Sequence, residues 1–257
     1  MTELALTLPR EQQDMPGVPG LSLDYRLRWM DFDRYGRLKP ASVLDLFQDV
    51  ATLQAEQQGI GRDDMLKKGV FWAVIRSKFE IVRQPEHHST VTVRTWPHSP
   101  SRFSFLRDFC MRDEKGNLLI KATSEWVFMS AETRKFVRIT DAYDGTMEFD
   151  PARSFPEKTR KVFDFDTDGS EPFVLVPGYV DIDNNGHVNN AVYANFIVNA
   201  LNPGAQGSLK TFQIDYRQEV RPEEPLQVFT KLEEGTAFAK GVCDDGAVAF
   251  LSKIEFA

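Results

Sequence analysis

Two stretches of this chain repeat one another in order, and internal duplication restricts the fold more than any composition statistic does. Asp31, Asp33, Gly36 and Ala41 recur as Asp181, Asp183, Gly186 and Ala191, each 150 positions later. Further on, Phe79-Glu80-Ile81-Val82-Arg83-Gln84-Pro85 runs parallel to Ile214-Asp215-Tyr216-Arg217-Gln218-Glu219-Val220, offset by 135. One loose match is within chance; two in the same order describe a chain of two related halves. The copies also differ in a consistent direction. Arg37 and Lys39 stand where the later copy has His187 and Asn189, and Gln84 stands where it has Glu219. One half is equipped for acid–base chemistry and the other is not.

The periodicity of each half agrees with the duplication. Residues 21–30 alternate, with Leu23, Tyr25, Leu27 and Trp29 on one side, and predict a strand. Pro40-Ala41-Ser42 opens a helix with proline in its first turn. Val43, Leu44, Phe47, Val50, Ala51 and Leu53 follow at helical spacing, and Gly59 is the expected stop. Strands are then expected over 71–82, 90–96, 103–112, 118–129 and 136–139, broken by turn sequences such as Asp113-Glu114-Lys115-Gly116-Asn117. The second half repeats the order. A strand over 173–180 precedes the motif and a helix with Tyr193, Phe196, Ile197, Ala200 and Leu201 on one face. Strands over 211–218, 226–233, 236–243 and 247–255 follow. One helix followed by a run of antiparallel strands is an α+β signature, with the sheet wrapped on the helix. The expected division is a flexible leader over 1–20, a first domain over 21–140, a linker over 141–170 and a second domain over 171–257.

At 257 residues the chain suits two modest domains. A net charge of −7 argues against nucleic acid as the partner, because phosphate binding needs a basic surface. Cys110 and Cys243 are far apart, without a Cys/His cluster, and read as buried free thiols of a reducing compartment. The expectation is a cytoplasmic protein: no run reaches the ~18 apolar residues of a membrane span, and 1–20 carries no signal-type apolar core. No metal or other cofactor is expected. His87, His88 and His98 sit in turn-like sequence and read as surface residues.

The chemistry concentrates in Asp181-Ile182-Asp183-Asn184-Asn185-Gly186-His187-Val188-Asn189-Asn190. Its start mimics a calcium-binding loop, but the twelfth position, which needs a bidentate Glu, is Val192, and a strand rather than a helix precedes it. An Asx-rich turn that only caps the next helix accounts for one or two of these side chains. It does not account for His187. The helix N-terminus offers backbone amides to polarise a carbonyl oxygen, and Asn185 can add a donor. His187 can transfer a proton near neutral pH. Glu219 can activate water, and Asp183 can orient His187 or Asn185. Such a set would hydrolyse an activated acyl group without a metal and without a serine or cysteine nucleophile.

These residues resemble a family. Asp183-Asn184-Asn185-Gly186-His187-Val188-Asn189-Asn190-Ala191-Val192-Tyr193 is similar to the Asp-x-Asn-x-His-Val-Asn-Asn-x-x-Tyr motif of the acyl-acyl-carrier-protein thioesterases of plants and bacteria. Ile214-Asp215-Tyr216-Arg217-Gln218-Glu219-Val220 matches that family's Leu-Glu-Tyr-Arg-Arg-Glu-Cys block. The resemblance implies two tandem hotdog domains, each an antiparallel sheet wrapped around a helix, joined edge to edge as a pseudo-dimer. It places Asp183, Asn185, His187 and Glu219 on catalytic positions and leaves the first half to hold the acyl chain. The implied reaction releases free fatty acid from fatty acyl-acyl-carrier protein. Val220 stands where plant members have cysteine, so no thiol nucleophile is available there and water activation falls to Glu219. The carrier is acidic, so Arg34, Arg37, Lys39, Lys67, Lys68, Arg217 and Arg221 are docking candidates. An acyl-CoA thioesterase and a non-catalytic acyl-binding hotdog module are the competing readings.

Overall fold

The computed structural model describes residues 20–145, 149–204 and 207–257; residues 1–19 of the expected leader lie outside the described residues. The first half runs β1 (Leu21–Arg26), α1 (Pro40–Gln57), α2 (Arg62–Lys67), β2 (Val70–Ile81), β3 (Thr90–Pro97), β4 (Ser104–Asp113), β5 (Leu118–Ser130) and β6 (Phe136–Val137). The second runs β7 (Phe173–Leu175), α3 (Val192–Leu201), β8 (Leu209–Tyr216), β9 (Leu226–Glu233), β10 (Thr236–Cys243) and β11 (Val248–Phe256). All strands join one antiparallel sheet in the order β1-β3-β4-β5-β2-β8-β11-β10-β9-β7, with β6 paired to β5. Read outward from the β2–β8 seam, each half has the same strand order. The fold is a double hotdog, as the resemblance implied.

The two long helices are held by most of the apolar stripe that the sequence predicts, Leu53 of α1 being exposed. In α1, Val43, Leu44, Phe47, Val50 and Ala51 are buried, and Phe47 stacks on Phe109 of β4 with ring centroids 4.9 Å apart. In α3 the buried side chains are Tyr193, Ala194, Phe196 and Ile197. Both helices lie on the same face of the sheet and share one core, closed across the seam by Phe79 stacked on Phe212 at 5.3 Å. At the ~1.5–3 kcal/mol that burying such a side chain contributes, this shared core outweighs any polar contact between the halves.

The seam is also an ion-pair site. Seam register runs from Arg76↔Asp215 to Glu80↔Thr211. Arg76 donates from Nε and NH2 to the two carboxylate oxygens of Asp215, at 2.7 and 2.9 Å, and from NH1 to Glu125 at 2.7 Å. Arg76 and Asp215 are 6% and 4% exposed. On the helix-free face, residues 150–166 strap both halves. The Ser154 N–H donates to Asp108 of β4 at 2.6 Å, and the Val162 N–H to Asp215 of β8 at 3.0 Å. Lys240 of β10 donates to the carbonyl of Phe165 at 3.4 Å.

Several expectations change. The strand expected over 173–180 stops at Leu175, because the Asp181 carboxylate accepts the Gly178 N–H at 2.8 Å and turns the chain. The short helix α2 has no counterpart in the sequence reading. His98 is buried, not a surface residue: it is 2% exposed, its Nε2 lies 3.1 Å from Asp108 Oδ2, and its Nδ1 is 3.0 Å from the Asp150 carbonyl. His87 stacks flat on Phe32 at 4.0 Å. Arg37, a docking candidate, is spent internally: its Nε donates to Asp33 at 2.9 Å and its NH2 to the Gly204 carbonyl at 3.0 Å. Cys110 and Cys243 are both buried and free.

Candidate active site

The motif folds as a tight loop because its own side chains satisfy its backbone. Asp183 Oδ1 accepts the Asn185 N–H at 2.8 Å, the Asp183 carbonyl accepts the Gly186 N–H at 3.0 Å, and the Asp183 N–H reaches the His187 carbonyl at 2.9 Å. The turn requires a left-handed residue, and Gly186 supplies it at φ 80°. The earlier copy makes the same bonds. Asp33 accepts from Tyr35 at 2.8 Å, the Asp33 N–H reaches the Arg37 carbonyl at 2.8 Å, and Gly36 has φ 76°. The loop therefore forms without a histidine. His187 is an addition to a scaffold that does not need it.

Glu219 lies beyond the end of β8 and is brought to the loop through its neighbour. The Val220 carbonyl accepts the Val188 N–H at 3.0 Å, and the Val220 N–H donates to the hydroxyl of Tyr193 on α3, also at 3.0 Å. Two bonds on adjacent backbone groups fix the direction of the Glu219 side chain. Its Oε2 comes to 3.2 Å from His187 Nε2. Both side chains are partly open to solvent, 40% and 21% exposed.

Asp183 resolves between its two expected roles. Its carboxylate contacts Asn185, not the His187 ring. Oδ2 accepts from Asn185 Nδ2 at 3.3 Å, while Asn185 Oδ1 accepts from Arg62 of α2 at 3.1 Å. The amide is thus fixed, with one N–H left to donate. The helix N-terminus does not act as expected. The Ala191 and Val192 N–H groups are taken by the side chain and carbonyl of Asn189, both at 2.9 Å, whereas the Asn185 amide keeps one N–H to donate.

In the earlier copy the same positions are closed. Gln84 Oε1 accepts the Leu38 N–H at 3.1 Å, and Arg37 covers Asp33. Between the halves lies a narrow cleft of about 30 Å³, with Leu44, Phe47, Phe109 and Trp126 from the first half and Ala191 and Tyr216 from the second on its walls, beside polar Gln48, Lys78 and Asn190. Burial pushes the Tyr193 and Tyr216 phenols well up from their ordinary range, so both act as neutral hydrogen-bonding groups. Burial also raises the Cys243 thiol, with Asp245 and Glu224 adding to the effect, which disfavours the thiolate. Among the described residues no cluster of His, Cys, Asp or Glu is arranged to hold a metal ion.

Sequence reasoning missed three contributors: Tyr193 as the anchor of Val220, and Arg62 and Arg134 from the first half. Arg134 NH2 lies 2.5 Å from Glu219 Oε2 and 3.3 Å from His187 Nε2. The tyrosine was visible as a motif position. The arginines carried no signal, since each is far from the motif in sequence. Tyr193→Phe is expected to lower stability by about 1–3 kcal/mol, the cost of leaving the buried Val220 N–H without an acceptor. Urea unfolding of the variant checks this, and an unchanged midpoint would show that Tyr193 does not carry the anchor.

Comparison with known proteins identifies the family. Residues 21–146 match the acyl-ACP thioesterase N-terminal domain and residues 166–254 the acyl-ACP thioesterase C-terminal domain. The chain is 28% identical over 228 residues to the chloroplastic oleoyl-acyl carrier protein thioesterase of Coriandrum sativum, covering 81% of this chain and 62% of the relative. It thus spans less than two thirds of that relative's length. Its fold matches an acyl-ACP thioesterase from Bacteroides thetaiotaomicron, with a TM-score of 0.81 at 22% identity over 93% of this chain and 98% of the other. The 12:0-ACP thioesterase from Umbellularia californica gives 0.81 at 20% identity, over 93% and 97%. With both domain models matched in order across most of its length, the chain belongs to the acyl-ACP thioesterase family.

Proposed function

We propose that the protein hydrolyses the thioester of fatty acyl-acyl-carrier protein, releasing free fatty acid and the carrier's thiol. The observation that carries this reading is the Glu219–His187 contact at 3.2 Å beside a fixed Asn185 amide. Glu219 accepts a proton from water as the oxygen attacks the carbonyl carbon. The remaining Asn185 N–H faces the negative charge that develops on the carbonyl oxygen. His187 delivers a proton to the departing sulfur, so the thiol leaves neutral. Water is split between the acid and the thiol, and the reading requires no covalent acyl-enzyme.

The relatives named for acyl-carrier substrates support the carrier rather than coenzyme A as the head group. The test is thiol release from palmitoyl-acyl-carrier protein beside palmitoyl-CoA at equal concentration. Strong preference for the carrier substrate is expected. Equal or faster release from CoA would replace the carrier with coenzyme A in this reading. No release from either, across chain lengths, would leave a protein that binds acyl groups without cleaving them.

A further inference from the structure

The half without acid–base groups reaches into the site of the other half. Arg134 sits on the turn between β5 and β6, and the turn is tied down on several sides. The Ala131 N–H donates to the Gly69 carbonyl at 2.9 Å, the Ser130 N–H to the Lys135 carbonyl at 2.9 Å, and the Arg134 N–H to the Ser130 carbonyl at 3.0 Å. Arg134 itself is left-handed, at φ 56°, an uncommon conformation for a non-glycine residue that the closed turn holds in place. Its guanidinium lies over the ring of Phe71, 4.8 Å from the centroid, which fixes the plane of the fork. The direction of this side chain is therefore set by the first half before it meets the second.

What it meets is specific. One guanidinium nitrogen, NH2, contacts Glu219 Oε2 and His187 Nε2. The His187 contact to the carboxylate also falls on Oε2. Both partners therefore hold the same oxygen, and Oε1 is the oxygen left to take a proton from water. His187 Nε2 in turn has an acceptor in Glu219 and a donor in Arg134. When the nitrogen carries a proton it donates to the carboxylate; when it has given the proton up, its lone pair accepts from the guanidinium. The ring keeps its place in both states. Arg62 does a parallel service for Asn185, again from the first half.

We propose that Arg134 is a positioning residue for hydrolysis, clamping Glu219 through Oε2 so that Oε1 faces the attacking water, and holding His187 in one orientation through its protonation cycle. This rests on the reading of Glu219 as the water-activating group. It also gives the catalytically silent half a part in the chemistry beyond enclosing the acyl chain. One guanidinium nitrogen makes both contacts while the group lies over Phe71; a lysine ammonium lacks that stacked plane and holds the pair less well.

The test is steady-state thiol release from palmitoyl-acyl-carrier protein by Arg134→Ala, Arg134→Lys and Glu219→Gln. Arg134→Ala is expected to lose about 10–100-fold in kcat, with KM within about threefold, the pattern of a lost transition-state arrangement and not of lost binding. Arg134→Lys should fall between it and the parent. Guanidinium ion at millimolar concentration should restore part of the Arg134→Ala rate and none of the Glu219→Gln rate. A raised KM with unchanged kcat would make Arg134 a docking cation and overturn the proposal, as would no change in either constant. Loss of kcat without any response to guanidinium would also overturn it, leaving a structural role alone. An active Glu219→Gln would remove the underlying reading. An inactive Glu219→Gln beside a normal Arg134→Ala would remove only the role of Arg134.

Discussion

Glu219→Gln is expected to lower kcat for palmitoyl-acyl-carrier protein by about 10²-fold or more while leaving the fold intact, the scale of a lost general base. The glutamine keeps the shape of the side chain, and its carbonyl oxygen can still accept from Arg134, so the clamp and the contact with His187 survive. What disappears is the basic oxygen. A 100-fold loss corresponds to about 2.7 kcal/mol of barrier. His187→Ala should lose a comparable factor, because the thiolate would then depart without its proton. The two losses should not add in the double variant, since both groups act in one step. The measurement is single-turnover thiol release, beside a thermal melt that shows the variants folded. A Glu219→Gln rate near that of the parent would assign water activation to another group.

The second large effect concerns the seam. Arg76→Met is expected to cost about 3–5 kcal/mol of stability, the penalty for leaving buried charge uncompensated. Among the described residues, Arg76 is the cation paired with both Asp215, contributed by the second half, and Glu125, contributed by the first. Removing it strands two carboxylates at a nearly dry joint. Asp215 would keep the Val162 N–H and the Gln213 amide as donors, and neither carries a full charge. Chemical unfolding should therefore show a large drop in the midpoint. Combining Arg76→Met with Asp215→Asn and Glu125→Gln should recover much of it, because the charges that made the loss costly are gone. A shift below about 0.5 kcal/mol in the single variant would mean that the apolar contacts, with Phe79 on Phe212 at their centre, hold the seam alone.

The comparison of the two copies explains how one loop serves two ends. Asp33 and Asp183 make equivalent bonds to their own turns, and Gly36 and Gly186 take the same left-handed conformation. In the first copy Arg37 folds back on Asp33, and Gln84 caps the backbone of Leu38, so the polar groups are used up in holding structure. In the second copy Asp183 holds Asn185, and the position equivalent to Arg37 is a histidine free to face Glu219. The chemical difference is a change of side chain on a conserved hydrogen-bond frame, with no change in the frame.

What was legible in the sequence was legible because its physics is local. The turn of Asp183 and Gly186, the proline that opens α1, the apolar stripes of both helices and the alternation of the strands each depend on residues a few positions apart. The duplication then supplied two such halves in one chain, and the family resemblance named their fold as a double hotdog. His98 was misplaced because its burial comes from Asp108 and Asp150, neither of which marks it in the sequence. The amides at the start of α3 were expected to face substrate, but the nearby Asn189 takes them first.

The sequence by itself put His187 and Glu219 in one half, where the other half has Arg37 and Gln84. Only the tertiary structure decided that they meet, and that Arg134, 85 positions from Glu219, meets both. Those contacts depend on the register of β8 against β2 and on the turn after β5. Neighbouring residues restrict such long-range register weakly, and the packing of the whole sheet fixes it.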